Sequence, residues 1–234
     1  MPYAIVTGAS QGIGKAIATA LLQHGFTVAV CARSEPILQQ TVREWVAVYG
    51  PDRVLAMNAD LSNAGEVNAF ADRVLATFPG VDLLVNNAGT FRPGTIADED
   101  EGLLEKMIGI NLYSAYRLTR LVLPVMQQQG SGHIFNICSV ASLKAYPNGG
   151  SYSISKYALL GFTDNLREEM RDYNVKVTAI CPGATWSPSW EGSGVSPERI
   201  MEARDVAATL LAAYSLSSQA VAETIVMRPV KGDL

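Results

Sequence analysis

The amino-acid sequence predicts an α/β fold, a doubly wound parallel sheet (Rossmann-like) with helices packed on both faces as a three-layer sandwich. Two observations predict it. Short apolar runs alternate with longer helical stretches along the whole chain. The runs are rich in Val, Ile and Leu without clean in–out alternation, as strands buried on both faces are.

The first run, Tyr3–Thr7, leads through a glycine-containing turn into a helical stretch at Gly12–His24. After the second run, Thr27–Cys31, Ser34 and Pro36 make a good helix start, because proline's fixed φ suits a first turn, so Pro36–Tyr49 is read as helix. Strands at Arg53–Asn58 and Leu83–Val85 flank a helix at Ala64–Phe78. A long helix is expected over Gly102–Gln129, kinked at Pro124. His133–Cys138, Val175–Cys181 and Glu223–Arg228 complete about seven strands, with helices at Ser151–Tyr173 and Ala203–Tyr214.

The chain has 234 residues, 48% of them hydrophobic and 17% charged, enough for one sizeable core, and a single domain over 1–234 is expected. A formal net charge of −4 and the lack of a dense Lys/Arg run argue against nucleic acid or an anionic membrane as partner. No apolar run approaches the ~18 residues of a membrane span, and the N-terminus lacks a basic-then-apolar layout. The three cysteines, Cys31, Cys138 and Cys181, end apolar runs; an odd count of buried thiols is expected to stay reduced, in a cytoplasmic protein. His24 and His133 are isolated, so no metal site is expected.

The chemistry gathers at Tyr152-Ser153-Ile154-Ser155-Lys156. Residues four apart share a helix face, so Tyr152 and Lys156 present a phenol and an ammonium to the same space. The ammonium is expected to lower the phenol's pKa from its ordinary ~10 towards a range useful for proton transfer. The Ser139 hydroxyl, thirteen positions upstream, would bond a substrate oxygen. Carbonyl-to-alcohol chemistry then lacks only a hydride source. Thr7-Gly8-Ala9-Ser10-Gln11-Gly12-Ile13-Gly14 supplies a place for one, since glycines let backbone N–H groups approach a pyrophosphate at a helix N-terminus. At the end of the second strand, Ala32 stands where an acid would bind the ribose of NAD, and Arg33-Ser34 follows. A guanidinium there suits a 2′-phosphate, so NADP(H) is the expected cofactor and NAD(H) the second choice.

The Gly-x-x-x-Gly-x-Gly spacing, Asn86-Asn87-Ala88-Gly89, Ser139 and Tyr152-x-x-x-Lys156 occur in the order and spacing of the short-chain dehydrogenase/reductase family. The chain resembles its compact single-domain branch over essentially its whole length. The resemblance implies that Gly8, Ser10, Gln11, Gly12, Ile13 and Gly14 cradle the cofactor and that Asp60 and Leu61 meet its adenine. It implies that Asn87, Ala88 and Gly89 line the same groove and that Lys156 holds the nicotinamide ribose. Asn111 would hold a water relaying protons to Lys156. After Pro182-Gly183, Ser187 stands where the family usually has Thr, bonding the carboxamide. A homodimer or homotetramer is expected through Gly102–Gln129 and Ser151–Tyr173.

Leu143–Asn148 should wall the substrate site, and residues 184–202, with Gly192 and Gly194, read as a mobile lid. Tyr146, Trp186 and Trp190 would face a flat substrate. The Trp-bearing segment and the tail Glu223–Asp233 resemble bacterial sepiapterin-reductase-like members of the family. The expected reaction is reduction of a ketone or dicarbonyl on a small cyclic or aromatic molecule. The alternatives are a 3-oxoacyl thioester reductase, docking an acidic carrier on Lys106, Arg117 and Arg120, and a non-catalytic NADP-sensing protein.

Overall fold

The computed structural model describes residues 1–234, all side chains but that of Ser189. The strands are β1 (Tyr3–Thr7), β2 (Thr27–Ala32), β3 (Val54–Asn58), β4 (Leu83–Asn86), β5 (Gly132–Ile137), β6 (Val175–Pro182) and β7 (Thr224–Met227). The helices are α1 (Gly12–Gln23), α2 (Glu35–Tyr49), α3 (Ala64–Thr77), α4 (Leu103–Ile108), α5 (Ser114–Gln129), α6 (Gly150–Met170) and α7 (Ala203–Tyr214). All seven strands are parallel, in the order β3-β2-β1-β4-β5-β6-β7. The order reverses between β1 and β4, where Ala4 pairs with Leu83 and Val6 with Val85. An open parallel sheet binds ligands at such a reversal, beyond the carboxyl ends of its strands.

Alternation along a strand explains the three layers. Ala4 and Val6 of β1 are buried with Ile17 and Leu21 of α1, Leu38 and Trp45 of α2 and Val206 and Leu210 of α7. Ile5, between them, points the other way, among Phe70 of α3, Leu118 and Val122 of α5 and Leu166 of α6. Side chains at successive strand positions leave opposite faces, so both must be apolar here.

The long helix expected over Gly102–Gln129 is instead three pieces, with a π-turn at Gly109–Tyr113 between α4 and α5. The extra residue of a π-turn re-aims side chains. Here Asn111 is directed into the protein interior, only 1% exposed. α5 itself runs unbroken through Pro124, whose missing N–H cannot serve the Arg120 carbonyl.

The segment after β6 leaves and returns through a narrow neck. The Trp186 N–H donates to the Met201 carbonyl at 2.7 Å, and the Met201 N–H to the Ala184 carbonyl at 3.0 Å. Among the described residues, no helix is long and apolar enough to cross a membrane.

Candidate active site

The β1–α1 turn is built around backbone that glycine alone adopts easily. Gly8 has φ +65° and Gly12 φ +56°. A Cβ on Gly14 would overlap the Gly8 carbonyl oxygen and Asn87 Nδ2, so only glycine lets α1 start this close to β1. Asn87 locks the turn from β4's end: its Nδ2 donates to the carbonyls of Thr7 at 2.8 Å and Gly8 at 3.1 Å. The N–H groups of Asn87 and Ala88 both reach Thr7 Oγ1 at 2.9 Å. At the head of α1, Gln11 contributes no side-chain cap, and the first turn holds no acidic residue. Its N–H groups therefore keep their attraction for an anion. Ser10 is buried, Gln11 exposed and Ile13 half-buried around this point.

Arg33 leaves the end of β2 exposed and, among the described residues, in no ion pair; the surface bond to Glu35 that its position allows is not made. Ser34 precedes α2 without a side-chain cap. Asp60 Oδ1 accepts from the N–H and hydroxyl of Ser62 at 3.0 and 2.8 Å, and Leu61 beside it is buried. Across the mouth of the turn, Ser187 lies on Gly12: a Cβ there would come within 3.0 Å of Ser187 Cβ. Pro182 ends β6, and the Gly183 N–H is tied to the Met227 carbonyl of β7 at 2.8 Å.

Ser139, Tyr152, Lys156 and Asn111 converge beyond β5. Ser139 follows the strand in extended conformation and its Oγ accepts from the Ala141 N–H at 3.1 Å. Ser139 lies near enough to the Tyr152 phenol to pull its pKa down. Lys156 Nζ, one turn along α6, donates to the Ile137 carbonyl at 2.9 Å. Asn111 Nδ2 donates to Ser155 Oγ at 2.8 Å and to the Thr90 carbonyl at 3.0 Å, while its Oδ1 accepts from the Thr90 N–H at 2.8 Å. Ser155 in turn donates to the Tyr152 carbonyl at 2.7 Å. A Cβ on Gly89 would lie 3.1 Å from Asn111 Oδ1 and 3.5 Å from Lys156 Nζ, so the Asn-Asn-Ala-Gly turn closes this cluster from β4.

The electrostatics differ from the expectation in one respect. Burial pushes the Tyr152 phenol up and the neighbouring Ser139 pulls it down, while Lys156 is not among the groups that move it. Burial also lowers Lys156, whose ammonium is turned to the Ile137 carbonyl. The buried Cys138 and Cys181 lie beside that ammonium, at the ends of adjacent strands.

Two residues that sequence reasoning passed over complete the surroundings of Tyr152. The Phe91 ring meets the Tyr152 ring edge-on, with centroids 4.8 Å apart at 83°, and is still 53% exposed. Glu99, from the same segment, accepts from both the N–H and the hydroxyl of Ser151. Phe91 was legible as an aromatic just beyond Gly89; Glu99 sat in an acidic run that reads as solvated surface. Tyr146 faces the same space, its phenol pushed up to about 12 by burial and by the neighbouring Tyr152. Trp186 lies elsewhere, on a groove of about 770 Å³ between α1 and α7 that also borders Gly12 and Ser187. Trp190 is half-buried at the end of a short 3-10 turn.

A model of the family described as short chain dehydrogenase matches residues 2–194. The chain belongs to that family. It is an oxidoreductase, as this membership and its relatives show. It is 31% identical to the sepiapterin reductase of Chlorobaculum tepidum over 98% of this chain and 97% of that one. It is 37% identical to the 2-(R)-hydroxypropyl-CoM dehydrogenase of Xanthobacter autotrophicus over 83% of this chain and 79% of the other. Among solved structures, the alcohol dehydrogenase of the archaeon Thermococcus sibiricus, complexed with 5-hydroxy-NADP, superposes with a TM-score of 0.90 at 28% identity, covering 100% of this chain and 99% of that one. Short-chain dehydrogenase membership accounts for the parallel sheet, the glycine turn and the Tyr152–Lys156 pair together.

Proposed function

We propose that the protein reduces a ketone or dicarbonyl to an alcohol with NADP(H), Tyr152 giving the proton. The observation that carries the reading is the convergence of Ser139, Tyr152, Lys156 and Asn111 beyond β5, at the carboxyl edge of the sheet. Two hydroxyls side by side suit one substrate oxygen: Ser139 orients it and Tyr152 protonates it as negative charge develops. A phenol raised by burial stays protonated at neutral pH and is a donor in waiting.

The residues present fit a dinucleotide. The glycine turn with the uncapped, acid-free start of α1 would take the pyrophosphate, and the exposed Arg33 a 2′-phosphate. Asp60 and Leu61 would border the adenine, Asn87, Ala88 and Gly89 the groove floor, and Pro182, Gly183 and Ser187 the nicotinamide end. When bound, the cofactor supplies the hydride. Lys156 would hold the nicotinamide ribose, and Asn111, fixed by Ser155 Oγ and the Thr90 backbone, would hold the water that relays protons to it. The 5-hydroxy-NADP of the archaeal alcohol dehydrogenase supports the cofactor choice.

Residues 184–202 act in this reading as the lid, with Ser187 already against Gly12. Tyr146 and Phe91 line the substrate side, and the likeness to a sepiapterin reductase supports a small cyclic dicarbonyl. The thioester alternative needs a free basic patch, whereas Arg117 and Arg120 lie over the rings of Tyr113 and Tyr116, at 5.0 and 5.5 Å. The test is NADPH consumption with diketones, sepiapterin and an acetoacetyl thioester, with NADH in parallel. Turnover of the diketones or sepiapterin is the expected result. Thioester turnover alone would reassign the substrate, and silence throughout would overturn the reading.

A further inference from the structure

Helix α6 begins without any cap of its own. Gly149 precedes it with no side-chain hydrogen bond, and its first turn holds no acidic residue. The first N–H groups of a helix have no partner within it. Here Glu99, from a segment far upstream, supplies one: Oε1 accepts from the Ser151 N–H at 2.8 Å and Oε2 from the Ser151 hydroxyl. A carboxylate at this end also meets the positive pole of the helix. The fit is specific to the backbone beneath it, since a Cβ on Gly150, where φ is +35°, would overlap Glu99 Oε1.

Glu99 is itself held in a tight turn. Its N–H donates to the Thr95 carbonyl at 3.1 Å, and Thr95 Oγ1 donates to Asp98 Oδ2 at 2.5 Å. The Gly94 N–H reaches the Asn148 carbonyl, just ahead of α6, at 3.0 Å. The same segment places Phe91 edge-on to the Tyr152 ring, at 4.8 Å. Residues 91–99 thus touch α6 at consecutive positions, Glu99 at Ser151 and Phe91 at Tyr152.

We propose that Glu99 is a positioning residue for Tyr152, fixing the first turn of α6 and pressing Phe91 against the tyrosine ring. The proposal rests on the reading of Tyr152 as proton donor. Its physical content is placement: a misplacement of ~1 Å at a reacting group costs on the order of 100-fold in rate. A carboxylate that locks the residue next to Tyr152 controls that distance.

The experiment compares Glu99→Ala and Glu99→Gln, alone and in a Tyr152→Phe background. Each is assayed for kcat and KM in carbonyl reduction, NADPH affinity by fluorescence titration, and amide hydrogen exchange of residues 149–156. Glu99→Ala is expected to lower kcat roughly 10-fold with NADPH affinity unchanged and to speed exchange in this stretch. Glu99→Gln, whose amide oxygen still accepts from Ser151, should recover most of the rate and the slow exchange. In the Tyr152→Phe background Glu99→Ala should cost little more, because both act through one group. A wild-type kcat in Glu99→Ala, or a loss shared equally by NADPH affinity, overturns the proposal. If the unaltered protein reduces no carbonyl, the reading of its function falls and this role with it, and exchange then tells whether Glu99 still holds α6.

Discussion

Tyr152 is surrounded by groups that each constrain it: Ser139 lies beside its phenol, Phe91 packs on its ring and burial keeps it protonated. Tyr152→Phe keeps the ring and its packing but removes the proton. Turnover should fall by about 10²-fold or more while NADPH titration stays as before, because general acid catalysis contributes on that scale. Substantial residual turnover would show that another group gives the proton. Arg33 is exposed and in no ion pair among the described residues, so its guanidinium has little to lose by pairing with a phosphate. A charge-assisted bond of this kind contributes roughly 1.5–3 kcal/mol. Arg33→Ala should therefore raise KM for NADPH about 10-fold or more and leave NADH unaffected, as initial rates with the two cofactors would show.

The elements most easily read from the sequence were the strands and the glycine turn. Strands buried on both faces have an unmistakable composition, and β1 and α3 fall within a residue of their expected limits. The end of β5 and the start of α2 shifted by one residue, since local hydrogen bonding rather than apolar content fixes such ends. The π-turn at Gly109–Tyr113 was not legible, because Ile110, Leu112 and Tyr113 are as compatible with an α-helix as with a wider turn. What selects it is tertiary: Asn111 satisfies both backbone groups of Thr90 and reaches Ser155. The pairing of Glu99 with Ser151, 52 residues apart, was invisible for the same reason. Asn111→Leu would strand the Thr90 N–H and C=O in a half-buried site, at no more than about 1–3 kcal/mol each. The expected outcome is a lower melting temperature together with a reduced kcat; a purely structural residue would lower the first alone.

On the scale of the molecule, the far end of the sheet from the site sets the response to acid. His133 is buried against Phe135, their ring centroids 4.0 Å apart. Its Nε2 lies 2.8 Å from Thr178 Oγ1, which spends its own proton on the Ala222 carbonyl. Nε2 must therefore be the donor, and the buried Nδ1, which has no partner to receive a second proton, is left bare in a neutral ring. Burial, with the nearby Lys176, pushes the imidazole down from 6.5 to about 3. A group with a depressed folded pKa binds its proton in the unfolded chain first. Its stabilising effect is complete above pH 6.5 and is lost as pH falls towards 3, at about 1.4 kcal/mol per unit. His133→Phe should flatten the fall of melting temperature across this window relative to the parent protein; parallel curves would exclude the histidine. A different consequence follows from the pairing of β1 with β4, in which Ala4 meets Leu83. The Asn87 amide that locks the glycine turn arrives from 80 residues away. Loop closure over such a span slows folding relative to neighbouring contacts. In a refolding experiment, helical signal should return first and cofactor affinity only with the late joining of these two strands.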